Sequence, residues 1–226
     1  MPRSSLFPPP TESSPDGLVA VGGDLSPERL LDAYRCGIFP WPVSDEDPMP
    51  WWSPNPRAIL PLDGLHISRR LRRTLRAGKF QVTCDQAFRD VLHGCASAQD
   101  RLRETWLSEE MIGGYVEMHR LGHAHSVEVW YEGRLAGGTY GLAIGGLFAA
   151  ESMFYRERDA SKIALAYLLS HLNARGYTLL DVQQWTSHTG RMGVVEISRD
   201  AYLEKLAAAV DLPVTFGESL TGKPVT

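Results

Sequence analysis

In the second half of the chain, the alternation of apolar and polar positions predicts two β-strands joined by a helix. Residues 147–154 form a mostly apolar, strand-like run that carries one acid, Glu151. A helical pattern follows over residues 161–175 and ends at Gly176, and residues 177–183 are typical of a second strand. Because a βαβ crossover places its two strands side by side and parallel, we expect the ends of both strands to lie close together.

Side-chain alternation gathers four residues on one face of this predicted sheet. Residues two apart on a strand share a face, so Glu151 goes with Met153 and Asp181 goes with Gln183. An apolar wall with two carboxylates and one amide suits a ligand that has a hydrophobic side chain and a positive amino group. The alternative stays open that both acids are structural and paired, because burying a carboxylate without a partner is costly.

Between residues 126 and 144 the pattern predicts two antiparallel strands, and the pair Gly145-Gly146 predicts a tight hairpin turn into the βαβ unit. Serine residues mark the starts of predicted helices, because a serine hydroxyl can accept the free amide hydrogens of a first helical turn. They are Ser26, Ser108 and Ser198, the last before a helix over Arg199–Ala209. Asp85 is a further candidate cap for the helix that follows it.

The N-terminal part of the chain has a different composition. Residues 37–57 are rich in Pro and Trp, which predicts a rigid and irregular segment. Its pair Trp51-Trp52 belongs either to an exposed binding surface or to the joint between two domains. We place a boundary near Pro61, which gives a small N-terminal domain over residues 1–61 and a larger domain over 62–226.

Charge is unevenly distributed along a chain whose net charge is −4. The segment from residue 66 to 84 has six cations and no acid, and four of its arginines fall three or four residues apart on one helical face. Such a face can bind a phosphate backbone, although it can also be simply solvated. The candidate nucleic-acid-binding residues are Arg69, Arg70, Arg72, Arg73, Arg76 and Lys79.

Other features exclude several classes of protein. No apolar run is long enough to cross a bilayer and the first residues lack a signal-peptide core, so we expect a cytoplasmic protein. Cys36, Cys84 and Cys95 have no metal-binding spacing, which predicts reduced thiols. His123 and His125 lack further ligands nearby in sequence, so a structural role is expected rather than a metal site.

The βαβ unit resembles that of acyl-CoA-dependent N-acyltransferases, but the loop that would bind the coenzyme differs. Those enzymes have a glycine-rich loop at the helix start whose backbone amides bind a pyrophosphate. Here the equivalent run is RERDAS at 156–161, with both glycine positions filled, one of them by Asp159. An acid at that position would repel phosphate.

Seven motifs together resemble the leucyl/phenylalanyl-tRNA–protein transferase family. The resemblance extends from about residue 7 to residue 203, and its motifs are long, ordered and unusual in composition. They are GLVAVGGDLS at 17–26, YRCGIFPW at 34–41, WWSPNPR at 51–57, HSVEVW at 125–130, ESMF at 151–154, ASK at 160–162 and DVQ at 181–183.

The resemblance implies an α+β protein with an N-acetyltransferase-like mixed β-sheet domain flanked by helices and a small N-terminal domain. It implies transfer of Leu or Phe, and less well Met, from aminoacyl-tRNA to proteins that begin with Lys or Arg. The product would be marked for degradation through the N-degron pathway. No cofactor or metal is implied, and we expect a monomer that does not bind membranes.

By the same resemblance, Asp181 and Gln183 would be the catalytic residues. Gln183 would accept a hydrogen bond from the attacking amine, and Asp181 would polarise or orient Gln183. Asp181 acting alone as a general base is a second hypothesis, although an unshifted aspartate is a weak base at pH 7. Glu151 would hold the amino group of the aminoacyl donor.

The resemblance also implies an apolar pocket for the side chain of the transferred amino acid. Met153, Phe148 and Trp106 would form it. Thr139 stands where the family has Met, so the choice between Leu and Phe is expected to differ from that of relatives with Met. Two rival functions stay open at this point, an acyl-CoA-dependent N-acyltransferase and a non-catalytic tRNA-binding protein.

Overall fold

A computed structural model of the protein describes residues 4–43, 47–98 and 107–224. Its helices and strands follow the predicted order closely. In chain order they are β1 (Leu18–Val21), α1 (Pro27–Arg35), β2 (Phe39–Pro40), β3 (Pro50–Trp52), β4 (Arg57–Ile59), α2 (Arg69–Ala77), β5 (Gln81–Cys84), α3 (Phe88–Ala96), α4 (Glu109–Arg120), β6 (Ala124–Tyr131), β7 (Arg134–Ile144), β8 (Leu147–Tyr155), α5 (Ala160–Arg175), β9 (Leu179–Gln183), α6 (Ser187–Gly190), β10 (Val195–Ile197) and α7 (Arg199–Ala209).

The centre of the molecule is a seven-stranded mixed sheet with the order β10-β4-β9-β8-β7-β6-β5. β8 and β9 are parallel, whereas the other neighbouring strands are antiparallel, so the predicted α+β class and the βαβ crossover are confirmed. The register of β8 and β9 runs from Leu147 opposite Leu179 to Ala149 opposite Asp181. β8 continues past this paired segment, which leaves Glu151 at its border.

Two hydrophobic clusters cover the two faces of this sheet. The first cluster contains side chains of α1, α3, α4 and α7 and of the N-terminal segment, such as Leu30, Met111 and Leu206. The second cluster contains side chains of α5 and of the C-terminal segment, such as Leu168 and Phe216. Helices therefore flank both faces, which agrees with the fold class expected from the sequence.

The N-terminal segment forms its own three-stranded sheet, β1-β3-β2, and packs onto the first cluster. Trp51 of β3 is fully buried, its ring centroid lies 4.8 Å from that of Phe7 in a tilted arrangement, and its indole N–H donates to the Gly22 carbonyl at 2.9 Å. Trp51 is thus buried rather than part of an exposed binding surface, and its role in a joint between two domains stays a prediction. β4 precedes Pro61 yet pairs with β9 of the large sheet, and the predicted division into two domains remains a prediction.

Serine caps mark the N-terminal ends of several helices. The hydroxyls of Ser26, Ser108 and Ser198 each accept a backbone N–H from the first turn of the following helix, as predicted. The prediction that Asp85 caps α3 is wrong, because α3 begins at Phe88 without a side-chain cap. Asp85 instead extends the pairing of β5 and β6, and its carboxylate accepts the Ser126 N–H at 2.9 Å.

Two further predictions from the sequence concern the cysteines and membrane-spanning helices. The three cysteines are buried and form no disulfide among the described residues, which agrees with the expected thiols. Burial raises the pKa of Cys36 to about 11, so this thiol stays protonated at neutral pH. Within the described residues, no helix combines the length and the apolar character that crossing a membrane requires.

Candidate active site

Glu151 lies at an irregularity of the sheet. The pairing of β7 with β8 shifts between Tyr140, which faces Ser152, and Gly141, which faces Ala150, so Glu151 has no partner of its own. This extra residue is a β-bulge, and a bulge reverses the alternation of side chains beyond it. The predicted common face of Glu151 and Met153 is therefore wrong, because Glu151 contacts Tyr115 of the first cluster and Met153 packs against the second.

The Glu151 carboxylate is held by two donors from different elements. The Tyr115 hydroxyl of α4 donates to its Oε2 at 3.0 Å, and the Gln183 side-chain Nε2 donates to its Oε1 at 2.7 Å. The Tyr34 hydroxyl of α1 lies 3.0 Å from that of Tyr115 and continues the network. Burial raises the pKa of Glu151 to about 7, although bonding to the two tyrosines opposes the rise and the Asp181 charge adds to it. Glu151 can therefore change charge near neutral pH.

Asp181, at 0% exposure, is buried more deeply than Glu151. Its Oδ2 accepts from Arg57 Nη2 at 2.6 Å and from the Tyr202 hydroxyl at 2.8 Å. Its Oδ1 accepts from Arg57 Nε at 2.9 Å and from the backbone N–H of Gln183 at 2.9 Å. With both oxygens engaged in this way, Asp181 is a poor candidate for a general base.

Arg57 of β4 is also buried, with 1% exposure. Its guanidinium lies between the rings of Phe39, at 4.7 Å, and Tyr202, at 4.4 Å, and its Nη1 donates to the Gly37 carbonyl at 3.0 Å. Burial alone would lower the pKa of Arg57, but the Asp181 carboxylate and the nearby Tyr202 and Tyr34 together outweigh burial and raise the pKa above its usual value. The Arg57 guanidinium and both Asp181 oxygens are thus satisfied by hydrogen bonds.

Gln183 ends β9 with φ of 62°, in the left-handed region that glutamine seldom adopts. The bond from its N–H to Asp181 fixes this backbone, and the same geometry turns its side chain to Glu151. Strained backbone held by surrounding contacts is common at functional sites. The structure therefore brings Glu151, Asp181 and Gln183 together, as the sequence predicted.

The candidate pocket residues lie on the other face of the sheet. Thr139 of β7 is opposite Met153 of β8, and both Met153 and Phe148 belong to the second cluster. The Thr139 hydroxyl donates to the Ser152 carbonyl at 3.0 Å, so its polar atom is already satisfied. Trp106 lies outside the described residues, and its predicted role stays a prediction.

The basic helix, α2, begins after its cap Ser68 and buries Leu71. Arg70 lies 3.6 Å from Asp159, which fixes α2 beside the start of α5 and next to the end of β8. Among the described residues, no carboxylate forms an ion pair with the remaining cations of this segment, which are exposed. They are Arg69, Arg72, Arg73, Arg76 and Lys79.

Four residues of this network were missed by reasoning from the sequence. Tyr34, Tyr115 and Tyr202 come from helices far apart in the chain, and no local spacing relates them to Glu151 or Asp181. Arg57 stood inside one of the family-like motifs, but nothing in that motif indicated a partner. A buried carboxylate needs such partners, so the requirement was foreseeable although their identities were not.

Another group of titratable side chains, which belongs to neither hydrophobic cluster, lines a cavity of about 770 Å³. Asp85, His119 and His125 offer possible ligand atoms within 4.8 Å of one another. However, His125 Nδ1 already bonds Asp85 Oδ2 and His119 Nδ1 bonds the Ala124 carbonyl, each at 2.7 Å. Both Nδ1 atoms are thus already engaged within the protein, and the structural role expected for His125 stays a prediction.

Comparison with known proteins agrees with the motifs. The family model described as leucyl/phenylalanyl-tRNA protein transferase matches residues 59–207, and the model of that family's N-terminal domain matches residues 23–55. A leucyl/phenylalanyl-tRNA–protein transferase of Nitratidesulfovibrio vulgaris (strain DP4) is 52% identical over 213 residues, which are 94% of this chain and 91% of that protein. The one from Magnetococcus marinus is 46% identical over 226 residues, 98% of this chain and 95% of that protein.

One solved structure that this chain resembles is much more distant. The structure of L-PGS from Bacillus licheniformis is 15% identical, with a TM-score of 0.38 over 73% of this chain and 55% of that chain. The relatives, in contrast, are similar over almost their whole length. The chain belongs to the leucyl/phenylalanyl-tRNA–protein transferase family.

Proposed function

We propose that this protein transfers Leu or Phe, and less well Met, from aminoacyl-tRNA to proteins whose first residue is Lys or Arg. The product would carry a new N-terminal residue that marks it for degradation. Membership of the family supports the reaction class. Because the donor is a cytoplasmic molecule, we propose that the protein works in the cytoplasm. We also propose that it works as a monomer.

The observation that carries this proposal is the contact between Glu151 and Gln183 at the border where the pairing of β8 and β9 ends. A carboxylate whose pKa is about 7 can bind a cationic amino group in its ionised form. An amide beside it can accept a hydrogen bond from a second amine. One site thus offers separate positions for the donor's amino group and for the attacking amine.

The chemistry required is the aminolysis of an ester. A protein α-amino group has a pKa near 8, so a useful fraction is already neutral at pH 7. Its nitrogen attacks the carbonyl carbon of the aminoacyl ester, the amide bond forms, and the ester oxygen leaves with the tRNA ribose. The nitrogen loses one proton and the departing oxygen gains one. Positioning of the two substrates supplies most of the rate.

Within this scheme Gln183 and Glu151 contact the substrates. Gln183 donates to Glu151 through Nε2, so its Oε1 is the atom that would accept from the attacking amine. Glu151 would hold the donor's ammonium group. Asp181, buried behind them, would act as a positioning residue through the Gln183 N–H rather than as a base.

The side chain of the transferred amino acid would enter the second cluster. Met153 and Phe148 would supply its walls, together with Trp106. Thr139 is shorter than the Met that the family resemblance implies at this position, so the pocket would be wider there and Phe would gain on Leu.

The exposed face of α2 would bind the phosphate backbone of the tRNA. Its position beside the start of α5 brings it to the same end of the sheet as the site. Phosphate contacts position a nucleic acid without reading its sequence. The contribution of α2 to the binding affinity would therefore be the same for all aminoacyl-tRNAs. The cations concerned are Arg69, Arg70, Arg72, Arg73, Arg76 and Lys79.

The deciding experiment offers the protein charged leucyl-tRNA and a peptide that begins with Arg. We expect a Leu-Arg N-terminus, which mass spectrometry detects, and no product with a peptide that begins with Asp. N-acetylated leucyl-tRNA, which lacks the cationic amino group, is expected to react far more slowly. Acetyl transfer from acetyl-CoA without tRNA would select the acyltransferase alternative, and tRNA binding without turnover would select the non-catalytic one.

A further inference from the structure

The N-terminal segment, the end of β9 and α7 meet at one buried cation, Arg57. Arg57 bonds Asp181 through two of its nitrogens and the Gly37 carbonyl through the third. Its guanidinium is also covered by the rings of Phe39 and Tyr202. These contacts join residues that follow α1, the end of β9 and α7 around a single side chain.

Asp181 transmits this arrangement to Gln183. One carboxylate oxygen accepts both Arg57 Nε and the Gln183 N–H, each at 2.9 Å. A planar guanidinium fixes the plane of a bidentate carboxylate, which a lysine ammonium cannot do. The direction of the bond to the Gln183 N–H, and with it the unusual φ of 62°, therefore depends on Arg57.

We propose that Arg57, supported by Tyr202, is a positioning residue for the transfer reaction. This inference rests on the proposed function. Arg57 holds Asp181 so that Gln183 keeps its left-handed backbone and presents its amide to Glu151 and to the attacking amine. The N-terminal segment thereby contributes to turnover, because Gly37 and Phe39 hold the guanidinium in place.

Arg57→Lys keeps the positive charge but loses the planar fork, and it tests the proposal. Wild-type transfer from leucyl-tRNA to an Arg-peptide is measured first. We expect kcat of Arg57→Lys, per folded and tRNA-binding molecule, to fall by roughly 10- to 100-fold with both KM values nearly unchanged. Tyr202→Phe removes one hydrogen bond to Asp181 and retains the ring, so a smaller loss of about 3-fold is expected.

The decisive measurement repeats both substitutions in a Gln183→Ala background. If Arg57 acts through Gln183, Arg57→Lys should cost less than about 3-fold there, since residues that act as a unit are not additive. A residue that only supports the fold would lose the same factor in both backgrounds. Should Arg57→Lys fail to fold, Tyr202→Phe carries the same cycle, and its loss of about 3-fold should disappear in the Gln183→Ala background.

Arg199→Lys is the matched control. Arg199 also joins α7 to the N-terminal segment, donating to the Ser53 carbonyl at 2.9 Å, but it bonds neither Asp181 nor Gln183. We expect its kcat to stay within about 2-fold of the wild type. A kcat of Arg57→Lys equal to that of wild type, or an equal cost in both backgrounds, overturns the proposal. Absence of transfer by the wild type would overturn the proposed function instead.

Discussion

Two carboxylates of the same site show how environment separates residues that look alike in sequence. Asp181 has a buried cationic partner and accepts hydrogen bonds on both oxygens. Glu151 is bonded by neutral donors, a tyrosine hydroxyl and an amide, and burial raises its pKa to about 7. A fully paired carboxylate is suited to hold structure, whereas one without a cation is suited to receive a cationic ligand.

The strands that carry these two carboxylates, β9 and β8, differ in how they pair with their neighbours. β9 places Asp181 in register with Ile59, the second residue after Arg57, so that a salt bridge can form across the ladder. β8 has a bulge at Glu151, which removes it from the regular pairing and turns it to Tyr115. The end of β9 is therefore held by a salt bridge, whereas Glu151 of β8 is able to bind a cationic ligand.

The largest expected effect comes from breaking the paired carboxylate. Asp181→Asn leaves the Arg57 charge buried without its partner, and loss of one member of a buried pair typically destabilises by roughly 3–5 kcal/mol. We expect a large fall in the denaturant midpoint together with loss of transfer by about 100-fold or more. Glu151→Gln is the matched control, because Glu151 has no buried cationic partner in the described part of the chain. Equal stability losses in the two variants would show that the Arg57 partner does not set Asp181 apart from Glu151.

The second effect tests whether Asp181 works through Gln183. Gln183→Ala should lower kcat by roughly 10- to 100-fold while the free energy of unfolding stays near that of wild type. Combined with Asp181→Asn, it should add little further loss of kcat, because the two residues act as a unit. Fully additive losses would show that Asp181 has a separate role, such as that of a general base.

Much of this site was predictable from the sequence, and its partners were not. The strand pattern and the motifs gave Glu151, Asp181 and Gln183, because strand ends and unusual polar residues are local signals. The common face of Glu151 and Met153 was wrong because a bulge adds one residue without any mark in the alternation. Arg57 and Tyr115 were missed because their contacts join elements far apart in the chain.

The third effect concerns the charge of Glu151. Its pKa of about 7 means that it is ionised above pH 7 and increasingly protonated below it. The KM for aminoacyl-tRNA should therefore rise as pH falls through 7, and rise again above about pH 8 as the donor amine itself loses its proton. Glu151→Gln should raise this KM by about 10-fold or more at pH 7.5, because a charge-assisted bond becomes neutral.

Glu151→Gln should also remove the acidic limb of that profile, since glutamine does not titrate. The profile of KM against pH is measured at saturating acceptor peptide for both proteins. A variant that keeps the limb near pH 7 would show that another group causes it.

The smallest effect comes from Tyr115, which donates one of the hydrogen bonds to Glu151 at 3.0 Å. This bond favours the charged carboxylate and holds the pKa of Glu151 lower than burial alone would. Tyr115→Phe should therefore raise that pKa further and move the acidic limb of the KM profile upward by about one pH unit. Tyr177 is another buried tyrosine and lines the cavity beside Asp85, with no bond to Glu151 among the described residues, so Tyr177→Phe should leave the limb in place. An unshifted limb in Tyr115→Phe would mean that Glu151 does not depend on this bond for its charge.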